Sequence, residues 1–199
     1  MDVRAFCRAL ASKSPTPGGG AVAGVTAAHA AALIAMVVEY SRGKGSFAAF
    51  ESETDAILGR LHGHVEQALA SARADAEAFA ALSSLWRKPA ADPERTSRWE
   101  SAVEAAIAAP DAIVRLAVDL SARCRELAGH TAKHLDSDLA IAADLAGCAA
   151  RAAAWNVRAN LPSIANADRR IAIERDLDER LAIVRDHVAS TERLIASRP

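Results

Sequence analysis

The chain has 199 residues, about a quarter of them alanine, a formal net charge of −1 and only 4% aromatic residues. That length is one or at most two domains' worth, enough to bury a real core. The near-zero charge gives no support for nucleic acid or an anionic membrane as partner. Cys7, Cys124 and Cys148 are odd in number and lack C-x-x-C spacing, so reduced, buried thiols in a cytoplasmic protein are expected. Met1-Asp2-Val3-Arg4 runs into an amphipathic turn rather than an apolar signal segment.

Alanine favours helix, and the apolar periodicity is helical throughout. Val3, Phe6, Cys7 and Leu10 mark a short first helix. Ser14-Pro15-Thr16-Pro17 cannot continue it, because each proline lacks a donor and extends the residue before it. Gly18-Gly19-Gly20 then lets backbone or a ligand approach with no Cβ in the way. A second helix follows from Gly20 to about Ser41, and its free N–H groups face whatever lies beyond the loop. This helix is apolar nearly all round, which makes it a buried central helix rather than a membrane span, since His29 and Thr26 interrupt it and Glu39 follows.

A third helix is expected from about Phe47 to Trp86, on the stripe Phe50, Thr54, Ile57, Leu61, Val65, Ala68, Ala72, Asp75, Phe79, Leu82 and Trp86. Lys88 to Pro93 is a loop. A fourth helix runs from Pro93 to Ala109, where Pro110 ends or kinks it and opens a fifth reaching Gly129. Asp136 or Ser137 caps a sixth, which extends to Asn160, and Leu161-Pro162-Ser163 closes it. The last helix carries Ile173, Leu177, Leu181, Val184, Val188 and Ile195 at three- and four-residue steps. The expected fold is all-α, a bundle of long antiparallel helices forming a single domain over residues 1–199, without strands or internal repeats.

Three sets of polar residues stand out. Asp75 lies on an apolar stripe, where a lone carboxylate costs several kcal/mol unless paired, neutralised or solvated. Asp138 and Asn156 share a helix face five turns apart, roughly 27 Å, so they line a long groove or serve two symmetric sites in a dimer. Asn156 and Asn160 are one turn apart and can either hold a planar heterocycle or make interhelical hydrogen bonds. His130 and His134 have metal-pair spacing, but nothing nearby completes a ligand set, so no metal is expected.

In combination these islands resemble the cyclodeaminase/cyclohydrolase family of folate one-carbon enzymes. That family includes the C-terminal domain of formiminotransferase-cyclodeaminase and free-standing bacterial methenyltetrahydrofolate cyclohydrolases. The matching pieces are P-T-P-G-G-G at Pro15 to Gly20, Gly43-Lys44, D-A-E-A-F at Asp75 to Phe79, Pro89, the isolated Pro110, Ser137-Asp138, and N-V-R-x-N at Asn156 to Asn160. The chain departs from the family pattern at Gly45-Ser46-Phe47, where further lysine and an aromatic are usual, and at Thr131 to His134, where a G-N pair is common.

The resemblance implies an all-helical homodimer with a folate site in a groove near the dimer interface, and no metal or redox cofactor. It implies Asp75, Lys44 and Asp138 as catalytic residues. It implies Pro17, Gly18, Gly19, Gly20, Asn156 and Asn160 as the binding surface. The first functional reading is hydrolysis of 5,10-methenyltetrahydrofolate. The alternatives are ammonia release from 5-formiminotetrahydrofolate and a non-catalytic helical dimer that binds a folate-like ligand or a protein.

Overall fold

The structure, a computed structural model, describes residues 2–198. Among these there are six α-helices and no strand: α1 (Val3–Leu10), α2 (Gly19–Ser41), α3 (Thr54–Trp86), α4 (Pro93–Leu127), α5 (Asp136–Asn160) and α6 (Ala167–Ala196). Helix α2 packs on α3 and α5, α4 packs on the same two and also meets α2, and α6 lies along α4 and α5. The starts of α2, α4 and α6 and the ends of α3 and α5 gather at one end of the bundle. The opposite termini gather at the other.

The core is built from small side chains. Ala23, Ala27, Ala30, Ala31, Ala142, Ala143, Ala146, Ala149, Ala150, Ala153 and Ala154 are inaccessible to solvent, and larger residues such as Ile34, Phe47, Leu82, Leu120 and Leu139 fill between them. Alanine faces let helices approach closely. At Gly24 a glycine is needed for this, since a Cβ there would lie 2.7 Å from Ala72 Cβ and 2.8 Å from the Ala68 carbonyl.

Four expectations change. Pro110 does not divide two helices: α4 runs unbroken for 35 residues with Pro110 inside it. The third helix begins at Thr54, because Gly45–Glu53 forms a 3-10 segment that tucks Phe47 into the core. Helix α5 starts directly from the 3-10 turn Lys133–Leu135, with Leu135 at the cap position and Asp136 and Asp138 in its first turn, where their charge suits the helix dipole. Of the three thiols only Cys124 is buried, while Cys7 and Cys148 are exposed.

Charged pairs fix α6. Asp111 on α4 is buried and lies 2.8 Å from Arg180 of α6 and 2.8 Å from Arg115 one turn on. Arg198 closes the far end, 2.5 Å from Asp136 and donating at 2.8 Å to the Thr131 carbonyl.

Candidate active site

Pro15, Thr16, Gly18, Gly19, Gly20, Asp75, Phe79, Trp86, Ala106, Asn156 and Asn160 line a pocket of about 280 Å³ at the end of the bundle where α2 begins. The proline–glycine loop forms its rim. Pro17 follows a cis peptide bond from Thr16 and sits between two lining residues. Ser14 Oγ donates to the Thr16 carbonyl at 2.7 Å and folds the loop on itself. Gly18 takes the cap position of α2 in extended conformation, with no side chain capping the helix. The first helical bond runs from Val22 to the Gly18 carbonyl, which leaves the N–H groups of the first turn open beside the pocket.

Asp75 projects from α3 against this turn. A Cβ on Gly20 would fall 2.0 Å from Asp75 Oδ2, so glycine is required for the carboxylate to lie there. Asp75 is half-buried and has neither a hydrogen bond nor an ion pair among the described residues. Burial pushes its pKa above the ordinary carboxylate value. The stripe expected to be buried along α3 is therefore only partly so. Beyond Ala72 the core contacts pass to Ala78, Leu82 and Leu85, while Asp75, Phe79 and Trp86 turn toward the opening. Phe79 and Trp86 meet edge to face at 6.4 Å and form an aromatic wall. Their spacing from Asp75 put them on its face in the sequence, where they read as core.

The two asparagines do different work. Asn156 lies over the loop, its amide 3.6–3.8 Å from where a Gly19 Cβ would stand, and its one hydrogen bond is a long 3.4 Å to the Ala152 carbonyl. Its oxygen is free for a ligand. Asn160 instead spends both amide protons on carbonyls, Ala106 at 2.9 Å and Asn156 at 3.0 Å. Ala106 is four residues before Pro110, so its carbonyl is the one that proline leaves without a helical donor. Asn160 supplies that donor across the helix interface, which is why α4 passes through Pro110 intact. Only the Asn160 side-chain oxygen remains for a ligand. Asn160→Leu is expected to lower stability by about 1–3 kcal/mol, the cost of an orphaned buried carbonyl, in urea or thermal unfolding.

Lys44 and Asp138 do not join this pocket within one chain. Lys44 lies just beyond the end of α2, a helix of 23 residues and so about 34 Å long. Asp138 is in the first turn of α5, 18 residues before Asn156 and about 27 Å away. Among the described residues no lysine, arginine or histidine lines the pocket. The described residues hold no group of three metal-ligating side chains.

The helical scaffold, the donor-rich rim and the lone carboxylate make this pocket the candidate small-molecule site of an all-α protein. The family described as formiminotransferase-cyclodeaminase matches residues 2–179. The formimidoyltransferase-cyclodeaminase of Gallus gallus is 30% identical over 164 residues, 80% of this chain and 30% of that protein, so the chain spans about a third of the length of such relatives. The methenyltetrahydrofolate cyclohydrolase of Methylorubrum extorquens is 29% identical over 196 residues, 96% of this chain and 93% of that one. The crystal structure of formiminotetrahydrofolate cyclodeaminase from Thermotoga maritima superposes with a TM-score of 0.89 at 28% identity, covering 98% of this chain and 96% of that one. This chain belongs to the formiminotransferase-cyclodeaminase family, whose enzymes act on folate one-carbon derivatives.

Proposed function

We propose that the chain is a cytoplasmic, homodimeric methenyltetrahydrofolate cyclohydrolase. The observation that carries this is Asp75: an unpartnered, half-buried carboxylate facing the open first turn of α2. The 5,10-methenyl bridge is a delocalised cation, which an anion beside it stabilises. Burial keeps the Asp75 carboxylate basic enough to take a proton from water as the water oxygen attacks the bridge carbon. The tetrahedral adduct then collapses with cleavage of the carbon–N5 bond. N5 gains a proton, the hydroxyl loses one, and the carbon remains on N10 as a formyl group. The step needs no metal or redox cofactor. Gly18 to Gly20 and Asn156 offer donors and an acceptor to the pterin, and Phe79 with Trp86 offers it a ring face. Free thiols at Cys7, Cys124 and Cys148 suit a reducing compartment.

A dimer supplies what the pocket lacks. A cavity of about 280 Å³ holds a pterin and its bridge but not a whole folate, whose glutamyl carboxylates find no cation here. The outward face of α2 carries Val25, His29, Leu33, Met36 and Tyr40, with Tyr40 63% exposed. Two α2 helices packed antiparallel on this face, about a two-fold axis near mid-helix, bring the partner's Lys44 to the Thr16 rim and the partner's Asp138 to the same end. The partner's Lys44 then neutralises a developing oxygen or a tail carboxylate.

Loss of methenyl absorbance, accelerated by the protein over the spontaneous rate, is the expected result. The likeness to the Thermotoga maritima structure favours a second reading, in which N10 attacks a 5-formimino carbon and ammonia leaves. Ammonia release from 5-formiminotetrahydrofolate with no effect on the methenyl compound would select it. Inactivity on both would leave a binding protein.

A further inference from the structure

We propose that α1 is an arm that docks on a second copy of this chain, in the groove between that copy's α2 and α3; the inference rests on the dimer just described. Asp2 caps α1 through its carboxylate, and Val3, Phe6, Cys7 and Leu10 make one apolar face of its eight residues. None of them is buried, with Val3 60% exposed and Leu10 38%, and α1 packs on none of the other helices as they pack on one another. A helix of two turns does not hold itself in water, so its stability must come from burying that face.

The groove between α2 and α3 offers a matching surface of about 640 Å³. Its floor is Ala32, Ala35, Met36 and Val65, and its polar rim is Glu39, His62 and Glu66. An apolar floor edged by two carboxylates meets an apolar helix face flanked by Arg4, with Arg8 one turn on and further round the same side of the helix. None of these four charges has an ion pair among the described residues. The chain's own α1 cannot reach its own groove without dismantling the pocket. Ala32 to Glu39 lie about 20–30 Å along α2 from Gly19, and the intervening loop is folded on itself at the pocket rim. The antiparallel two-fold that brings the partner's Lys44 to the pocket also sets the start of the partner's α2, and so its α1, beside this groove. Docking then fixes the loop that follows α1, coupling association to the shape of the site.

The experiment places a cysteine in the groove. In Cys148→Ser, His62→Cys protein, Cys7 and the new thiol are the exposed thiols, and Cys124 stays buried. A short bismaleimide at low micromolar protein is expected to give mostly covalent dimer on a denaturing gel. Adding Phe6→Glu should remove that product and raise the dimer dissociation constant by at least about a hundredfold. Arg4→Glu with Arg8→Glu should weaken association about tenfold or more, and Glu39→Arg with Glu66→Arg should restore it. A dimer by sedimentation that gives no link between Cys7 and the introduced thiol, or a link within one chain, overturns the arm and leaves the dimer standing. A wild-type monomer overturns both. Turnover of wild-type protein is measured separately, so failure of the enzymatic reading shows there alone.

Discussion

Asp75→Asn lowers turnover by about two to four orders of magnitude, the usual span for a general base, without lowering the melting temperature. The two halves of that result share one cause. Burial without a partner raises the Asp75 pKa, so the folded protein holds the proton more tightly than the unfolded chain does. Ionisation therefore costs the folded state. That cost is absent below the ordinary carboxylate pKa, appears as pH rises through it, and is complete above the raised folded value. Relative to the Asn variant, wild-type protein should lose melting temperature across that window, while its kcat/KM climbs with pH through the raised value. A variant that melts lower at neutral pH and turns over normally would show Asp75 to be a structural carboxylate.

Mixed dimers give the second large effect. Lys44→Ala and Asp75→Asn should each be nearly inactive alone, Lys44→Ala by at least about a hundredfold if it neutralises charge developing in the reaction. Co-expressed in equal amounts, they should recover about a quarter of wild-type activity. Half of the dimers are then mixed, and each mixed dimer has one site with both residues intact and one with neither. The basis is the distance between the two residues in a single chain, Lys44 just beyond the end of α2 and Asp75 on α3 against the start of α2. Activity in the mixture no higher than the sum of the parents, or full turnover by Lys44→Ala, would remove Lys44 from the partner's site. Asp138 can be tested the same way.

The helices and the loop with its pocket-lining glycines were legible in the sequence, because alanine content, apolar spacing and the proline–glycine run are local signals. Asp75 was legible as an anomaly, a carboxylate on an apolar stripe. Its surroundings were not, since they depend on how α3 rotates beyond Ala72 against a glycine of α2, 55 residues earlier. Phe79 and Trp86 shared its face, but period alone does not separate a core stripe from a pocket wall.

What the sequence determined by itself is an all-helical chain whose second helix opens on a rigid, donor-rich turn, with the motifs of the formiminotransferase-cyclodeaminase family in order along it. The tertiary structure decided how those residues are shared out. Pro110 is a helix breaker by local rules and stays inside α4, because an amide 50 residues later supplies the missing donor to Ala106. Asn160 thereby became largely a structural residue, while Asn156 kept its oxygen for the pocket. Lys44 and Asp138 went to the far end of the bundle, because helices of this length keep their two ends tens of ångströms apart, and only packing against another surface can bring those ends together.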